Sequence, residues 1–595
     1  MSFYSKLLRR AANSGDTEAQ FSLGMMYFDG EGGLPQDYQR ALKWFRRAAE
    51  KGNTSAQTIL GLMHEDGLGV SQDYKKAEKW LRLAADQGYS HAEFSLAMLY
   101  LDDEGGFQDP PRAEKWFRLA AEQGHIEAQV GLGLMYCNGE GIPEDYTESR
   151  KWFLRAAEEG DATAQLQLGL IYIDGYGIPQ NYEEAEKWFR CAAKQNHVDA
   201  LLQMGLIYED VDNPMKDLQE AAKWYKRAAE LGHRIAQTRL GMLYYDDYDV
   251  PQNPQKAKKW FLLAAEQGDS QAQFFLSVMY FEGDGGAQDF EEAMKWCRLA
   301  AEGGEPMAQC KLGNLYEIGE GVLQDSLKAE KWYRLAGEQG DIEAQFRLGR
   351  LYLIDEDVPQ DMQEAFKWHR LAAMQEHSSS QVCLGFMYER GEGVSKDDKE
   401  AIKWFRLAAE QGETEAQFKL GQKYFSGEGV VRDLREGIKW FRMAAEQGDS
   451  MAQLSVGIAY LNEEGVSRDY VEAMKWLKMA ADDELALAQF TLGLMYENGD
   501  GAPKDFQKAV KWYRLAAEQG YVSAQSNLGL MYCRGDGVPK NFVTAYGWLN
   551  LSAQKGCEYG QGAKDQLLKF LTPAQLAKGE ELSNQIANRI KTVDS

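Results

Sequence analysis

Few residues in this sequence stand in patterns that could do chemistry, and each such pattern is incomplete. The loops Glu209 to Pro214 (EDVDNP), Asp246 to Pro251 (DDYDVP) and Ile354 to Pro359 (IDEDVP) gather carboxylates. Asp210 and Asp212 could offer oxygens to a calcium ion, but the full spacing and terminal Glu of a calcium hand are missing. These segments read as solvated turns ended by proline. Gly-x-Gly loops such as Gly67-Leu68-Gly69 invite a phosphate-binding reading. They follow helical patterns rather than strands and lack Gly-Lys-Ser/Thr, so they too read as turns. Among seven histidines, His125, His197 and His233 stand where Asp otherwise begins a helix, which suits caps or turn residues better than ligands. The seven cysteines, Cys137, Cys191, Cys297, Cys310, Cys383, Cys533 and Cys557, form neither a CxxC nor a Cys/His cluster. Their odd number and unmatched positions predict free, buried or half-buried thiols in a reducing compartment. No GxSxG, HExxH or kinase-like set occurs, and paired carboxylates mean little in so acidic a chain. The sequence therefore predicts no catalytic residue, no metal and no cofactor.

What must position any functional residue here is a repeat. The fifteen tryptophans, from Trp44 through Trp80 and Trp116 to Trp512 and Trp548, are spaced 36 residues apart throughout. One unit is Ala488 to Gly520, AQFTLGLMYENGDGAPKDFQKAVKWYRLAAEQG. Its first half places Ala488, Leu492, Met495 and Tyr496 on one face of a helix. Asn498 to Pro503 form a turn cluster, Asp505 is an N-cap, and a second helix runs to a C-capping Gly520. Such a hairpin cannot bury both apolar faces alone, so successive hairpins must stack into a solenoid. The position of Gly24 holds Gly, Ala97 or Ser277 in every unit. A helical Gly costs about 1 kcal/mol against Ala. The recurrence therefore predicts close approach of the two helices, with the Trp and its Ala-Ala pair as the expected neighbours.

Length and charge agree with one elongated array. The chain has 595 residues, a formal net charge of −26 and no Lys/Arg block. That balance disfavours nucleic acid and anionic membranes as direct partners. No stretch of about 18 apolar residues suggests a membrane span, and the N-terminus lacks the apolar run of a signal peptide. The expected location is the cytoplasm, unless a dedicated secretion system reads some other signal. Leu7 to Gly15 (LLRRAANSG) matches the end of a second-type helix such as Trp44 to Gly52, which predicts an N-terminal capping half-repeat over 1–15. Fifteen units over 16–556 and C-terminal capping helices over 557–595 complete the expected organisation. Capped ends favour a monomer.

The run A-Q-x-x-L-G-x-M-Y, then G-x-G-V-x-x-D, then A-x-K-W-F-R-L-A-A-E-Q-G resembles the Sel-1-like repeat, a relative of the tetratricopeptide repeat. The resemblance covers about residues 4 to 556. The end of the chain, with Tyr546-Gly547-Trp548 and Leu571-Thr572-Pro573-Ala574-Gln575-Leu576, resembles bacterial members. It departs from the pattern in the acidic loops and at Gly337, which replaces the second Ala of its pair. The resemblance implies an all-α, right-handed superhelical solenoid of antiparallel helix hairpins. It also implies a non-catalytic scaffold or adaptor that binds a protein or peptide on the concave face lined by first helices. An inhibitory or immunity-type protein that wraps an effector, or a host-contact factor, is the alternative.

By the same resemblance, the positions of Glu18, Phe21, Ser22, Met25 and Phe28 should face the partner. At the Met25 position Asn314, Arg350 and Gln422 break a habit of apolar residues; at the Ser22 position stand Arg239, Lys311, Arg347 and Lys419; and Lys423 occupies the otherwise apolar Met26 position. Two readings stay open for this basic strip. It is either a groove that reads the carboxylates of an acidic partner, with Phe274 and Phe346 adding apolar contact, or a set of bases that pair with Glu and Asp of adjacent units.

Overall fold

The computed structural model describes residues 3–103, 105–106, 108–246 and 250–593. The centre of the acidic loop at Asp246 to Pro251 and the outermost residues of both expected caps lie outside them. Among the described residues all regular structure is helical and no strand occurs. The chain forms two compact units, Met1–Gly303 and Gly304–Ser595. Within each, helices pair in sequence order as antiparallel hairpins, and each hairpin packs on the next.

Local chemistry explains the ends of the helices. Asp341 begins Ile342–Ile354 by accepting from the Ala344 backbone N–H at 2.7 Å, and Asp361 begins Met362–Met374 by accepting from Gln363 and Glu364. Ser378–Arg390 ends at Gly391, whose φ of 75° is left-handed. The histidines divide: His233 and His377 accept cap bonds from backbone N–H groups, whereas His125 and His197 sit at the N-cap without one.

The recurring Ala-Gln pair ties one hairpin to the next. Gln381 donates to the carbonyl of Ala373 in the preceding second helix, and Gln417 does the same to Ala409. Gln411 and Gln447 of the second helices then donate to the side chains of Gln381 and Gln417, linking second helix to first helix. Gln381 and Gln417 are buried and bonded on both sides by this ladder, which fixes the register of one hairpin on the next.

The expected neighbour of the Gly24 position needs correction. A Cβ on Gly24 would lie 2.6 Å from the Phe45 ring, and on Gly385 it would lie 2.4 Å from the Phe405 ring. The residue after the Trp, not the Trp or the Ala pair, fills the space over the glycine. Successive side chains on a helix point about 100° apart. Phe405 therefore lies over the glycine of its own first helix, while the Trp of each unit reaches the core shared with the preceding second helix. Trp296 accordingly joins the core of Phe261, Leu276 and Met279, and Trp440 that of Phe405 and Leu420. In one unit both members of the pair differ, with Ser277 opposite Cys297.

At the N-terminal end, Phe3–Ser14 contributes Leu8, Ala11 and Ala12 to the first core. At the other end Pro573–Val593 lays Leu582, Ile586 and Ile590 over Trp548 and Leu551. All seven cysteines are free. In the loop at Glu209 to Pro214, Asp210 accepts from Tyr182 and from the Asp212 backbone, and Asn213 is buried on the Ile207 carbonyl. Among the described residues no helix is long and apolar enough to cross a membrane.

Candidate partner-binding face

The basic strip divides between the two units. Arg239 lies in the first; Lys311, Asn314, Arg347, Arg350, Lys419, Gln422 and Lys423 lie in the second. Each stands on a first helix, and these helices are held by the Ala-Gln ladder and by glycine contacts with the second helices.

In the second unit Arg347 and Arg350 converge on one carboxylate of the preceding hairpin. Glu317 receives Arg350 Nη2 at 2.5 Å and Arg347 Nη1 at 3.5 Å. Arg347 also donates to Glu343 at 2.6 Å and to Asn314 Oδ1 at 3.1 Å. Glu317 further accepts from the Tyr333 hydroxyl at 2.7 Å, and burial followed by that carboxylate pushes the Tyr333 pKa upward. Arg350 remains 42% exposed while bonded to Glu317 through Nη2. Lys311 is half-buried one helical turn before Asn314.

One step along the unit, Glu389 takes the place of Glu317. Lys423 Nζ lies 2.7 Å from Glu389, 3.1 Å from Glu428 and 3.5 Å from Asp398, and its side chain is only 5% exposed. Burial works against this charge. Hydrogen bonds to Glu389 and Glu428 outweigh it and hold the Lys423 pKa above the ordinary lysine value. Lys419 reaches Glu389 at 3.9 Å and lies over the Phe386 ring, which Arg390 covers too. Gln422, between them in sequence, is exposed. Phe346 packs on His377 and His369, and Phe274 of the first unit on Phe275.

In the first unit Arg239 Nη1 meets Glu209 at 3.5 Å, and Glu209 also accepts from Tyr225. The strip is thus a set of clusters in which a Glu at the end of one first helix receives cations from the next. These glutamates were missed by the sequence reading. Their signal was an offset of 30 residues: Glu209 to Arg239, Glu317 to Arg347, Glu389 to Lys419. The face can hold and present charge, and among the described residues no three His, Cys, Asp or Glu side chains gather as a metal site.

Comparison with known proteins places this architecture. The Sel1 repeat model matches fifteen times in succession, from residues 17–53 to 522–557. A protective antigen of uropathogenic Escherichia coli with an SLR fold is similar at 34% identity and TM-score 0.63, over 74% of this chain and 95% of that one. A Sel1 repeat protein from Oxalobacter formigenes is similar at 33% identity and TM-score 0.46, over 55% and 93%. An immunity protein from Pseudomonas aeruginosa shares 19% identity at TM-score 0.24, over 36% and 81%. No curated protein matches. Matched units account for nearly the whole helical array, and the chain belongs to the Sel1 repeat family.

Proposed function

We propose that this protein is a non-catalytic scaffold whose second unit binds an acidic peptide or protein surface along its first helices. Sel1 repeat proteins are in general protein–protein interaction scaffolds, which supports the class of function. The observation that carries the finer reading is the pairing of Arg347 and Arg350 on Glu317, with Arg350 still 42% exposed. Two guanidiniums share that carboxylate, so donors remain for a second carboxylate that needs no new buried charge. Lys419, Gln422, Asn314 and Lys311 extend the surface, and Arg239 is the equivalent position in the first unit. Lys423 supports the face from beneath rather than touching the partner.

The test is affinity capture from native lysate with wild type beside Arg347→Gln/Arg350→Gln/Lys419→Gln, after circular dichroism shows equal helicity. Loss of one acidic partner in the variant alone supports the reading. Retention of every partner by the variant sinks it. A host-contact role is the second reading, favoured by the similarity to a protective antigen. Antibodies against this protein would then label intact cells.

A further inference from the structure

A second surface, on the loop edge of the second unit, carries a pattern that the inner face does not use. The residue before each second-helix N-cap is Gln in eight of the first ten repeats, from Gln36 to Gln360. In the last five it is Lys396, Arg432, Arg468, Lys504 and Lys540, one cation per repeat without interruption. All five are exposed. In a chain of net charge −26 such a run is a built stripe, not background.

The Gln has a local task. Gln36, Gln252, Gln288 and Gln360 donate to the carbonyl of the last residues of the preceding helix, at 2.9, 2.8, 2.6 and 3.3 Å. Arg432 and Arg468 keep that bond through Nε, at 2.9 and 3.1 Å, and so carry their Nη groups outward. The lysines give the bond up. Lys504 and Lys540 lie over the Phe506 and Phe542 rings at 4.7 and 4.8 Å, and Lys396 is 3.8 Å from Asp398. These contacts leave all five cations exposed, so their charge is available at the surface.

At the middle of the stripe is an open cleft of about 680 Å³, lined by Arg435, Arg468, Tyr460, Glu463, Ser467 and Asp469. Glu463 holds a left-handed φ of 66° at a helix end that glycine fills in the neighbouring units at Gly427 and Gly499, and its carboxylate is 3.7 Å from Arg468. Val431, beside Arg432, and Val471, three residues after Arg468, are 85% and 66% exposed.

We propose that this edge binds an extended acidic segment of a partner protein, with a carboxylate about every third residue and apolar residues between. Successive cations are set apart by at least a helix diameter, about 10 Å, and an extended chain advances about 3.3 Å per residue, which gives that spacing. Each of the first four cations is followed by an N-cap carboxylate, Asp397, Asp433, Asp469 or Asp505. A nucleic acid strand, with a charge roughly every 3.4 Å, would press phosphates against those carboxylates. A peptide can set N–H groups there instead.

The experiment uses the full chain and fluorescence anisotropy at low ionic strength. The probe is a labelled peptide of about fifteen residues, repeating Glu-Ser-Val, long enough to span the stripe. It is compared with the Gln-Ser-Val peptide and with homopolymeric single-stranded DNA. The variant is Lys396→Gln/Arg432→Gln/Arg468→Gln/Lys504→Gln/Lys540→Gln, which installs the residue the other repeats already tolerate. Expected are saturable binding of the acidic peptide and a loss of about tenfold or more in the variant, with Arg347→Gln/Arg350→Gln run beside it to report any binding at the inner face. Equal affinity in the stripe variant overturns the proposal, as does absence of binding by wild type. It is overturned too if the DNA displaces the peptide more effectively than unlabelled peptide does, or if the inner-face variant alone loses binding.

Discussion

Lys423 gives the sharpest test of how this array handles charge. The equivalent residue in other repeats is Met, Leu, Ile or Ala, so Lys423→Met restores the family's own choice at a buried position. On hydrophobicity alone it should stabilise by about 1–2 kcal/mol. The structure argues the opposite sign. Glu389, 2.7 Å away and mostly buried, would lose its principal partner and keep only Lys419 at 3.9 Å. Removing one member of a buried pair typically costs about 3–5 kcal/mol. Glu428 and Asp398 are more exposed and can turn to water, so we expect a net loss of about 2 kcal/mol for the single substitution. The companion Glu389→Leu removes the orphaned charge, and Leu stands at that position in Leu353 and Leu461. The double variant should recover wild-type stability or exceed it. Because a repeat array can open locally, the assay is hydrogen exchange across Thr414–Ser426, with urea unfolding alongside. A loss of 2 kcal/mol appears as exchange roughly thirtyfold faster in the single variant. A single variant as protected as wild type, or a double variant no better than the single, refutes the reasoning. The raised Lys423 pKa adds a sign. Its contribution is complete below the ordinary lysine pKa and disappears only as alkali titrates the folded group.

Other consequences can be checked directly. Cys297→Phe should cost about 1–3 kcal/mol in thermal or urea unfolding, because Ser277 leaves no room for a ring, and Ser277→Gly should restore it. His369 takes a Phe position, fully buried, and burial lowers its pKa to about 4. The unfolded histidine binds its proton first, so stability should fall as pH drops from about 6.5 toward 4, by at most about 1.4 kcal/mol per pH unit. His369→Phe should flatten that part of a pH-dependent unfolding curve. Glu65 is pushed up to about 7 by burial, with Asp66 and Asp102 adding to it, and one of its buried oxygens lacks a hydrogen-bond partner. Here the folded state holds the proton more tightly, so stability is lost as pH rises from about 4.5 to 7. Glu65→Gln should therefore raise the unfolding midpoint at pH 8 more than at pH 5.

The sequence by itself determined the architecture, since every signal for it is local or periodic. Trp spacing sets the unit, Asp341 or Asp361 starts a helix, and Gly391 ends one, each through bonds within a few residues. It also located the unusual cations on the first helices. Only the tertiary structure decided what those cations do, because their partners lie about 30 residues away across a packed interface. Glu317 beneath Arg347 and Arg350, and Glu389 beside a buried Lys423, depend on which side chains two hairpins turn toward each other. The same holds for Gly385, whose need for space was plain while its neighbour, Phe405 rather than Trp404, was not. Periodicity fixes the face of a helix; the one-residue turn that separates Phe from Trp on that face is settled only when the helices pack.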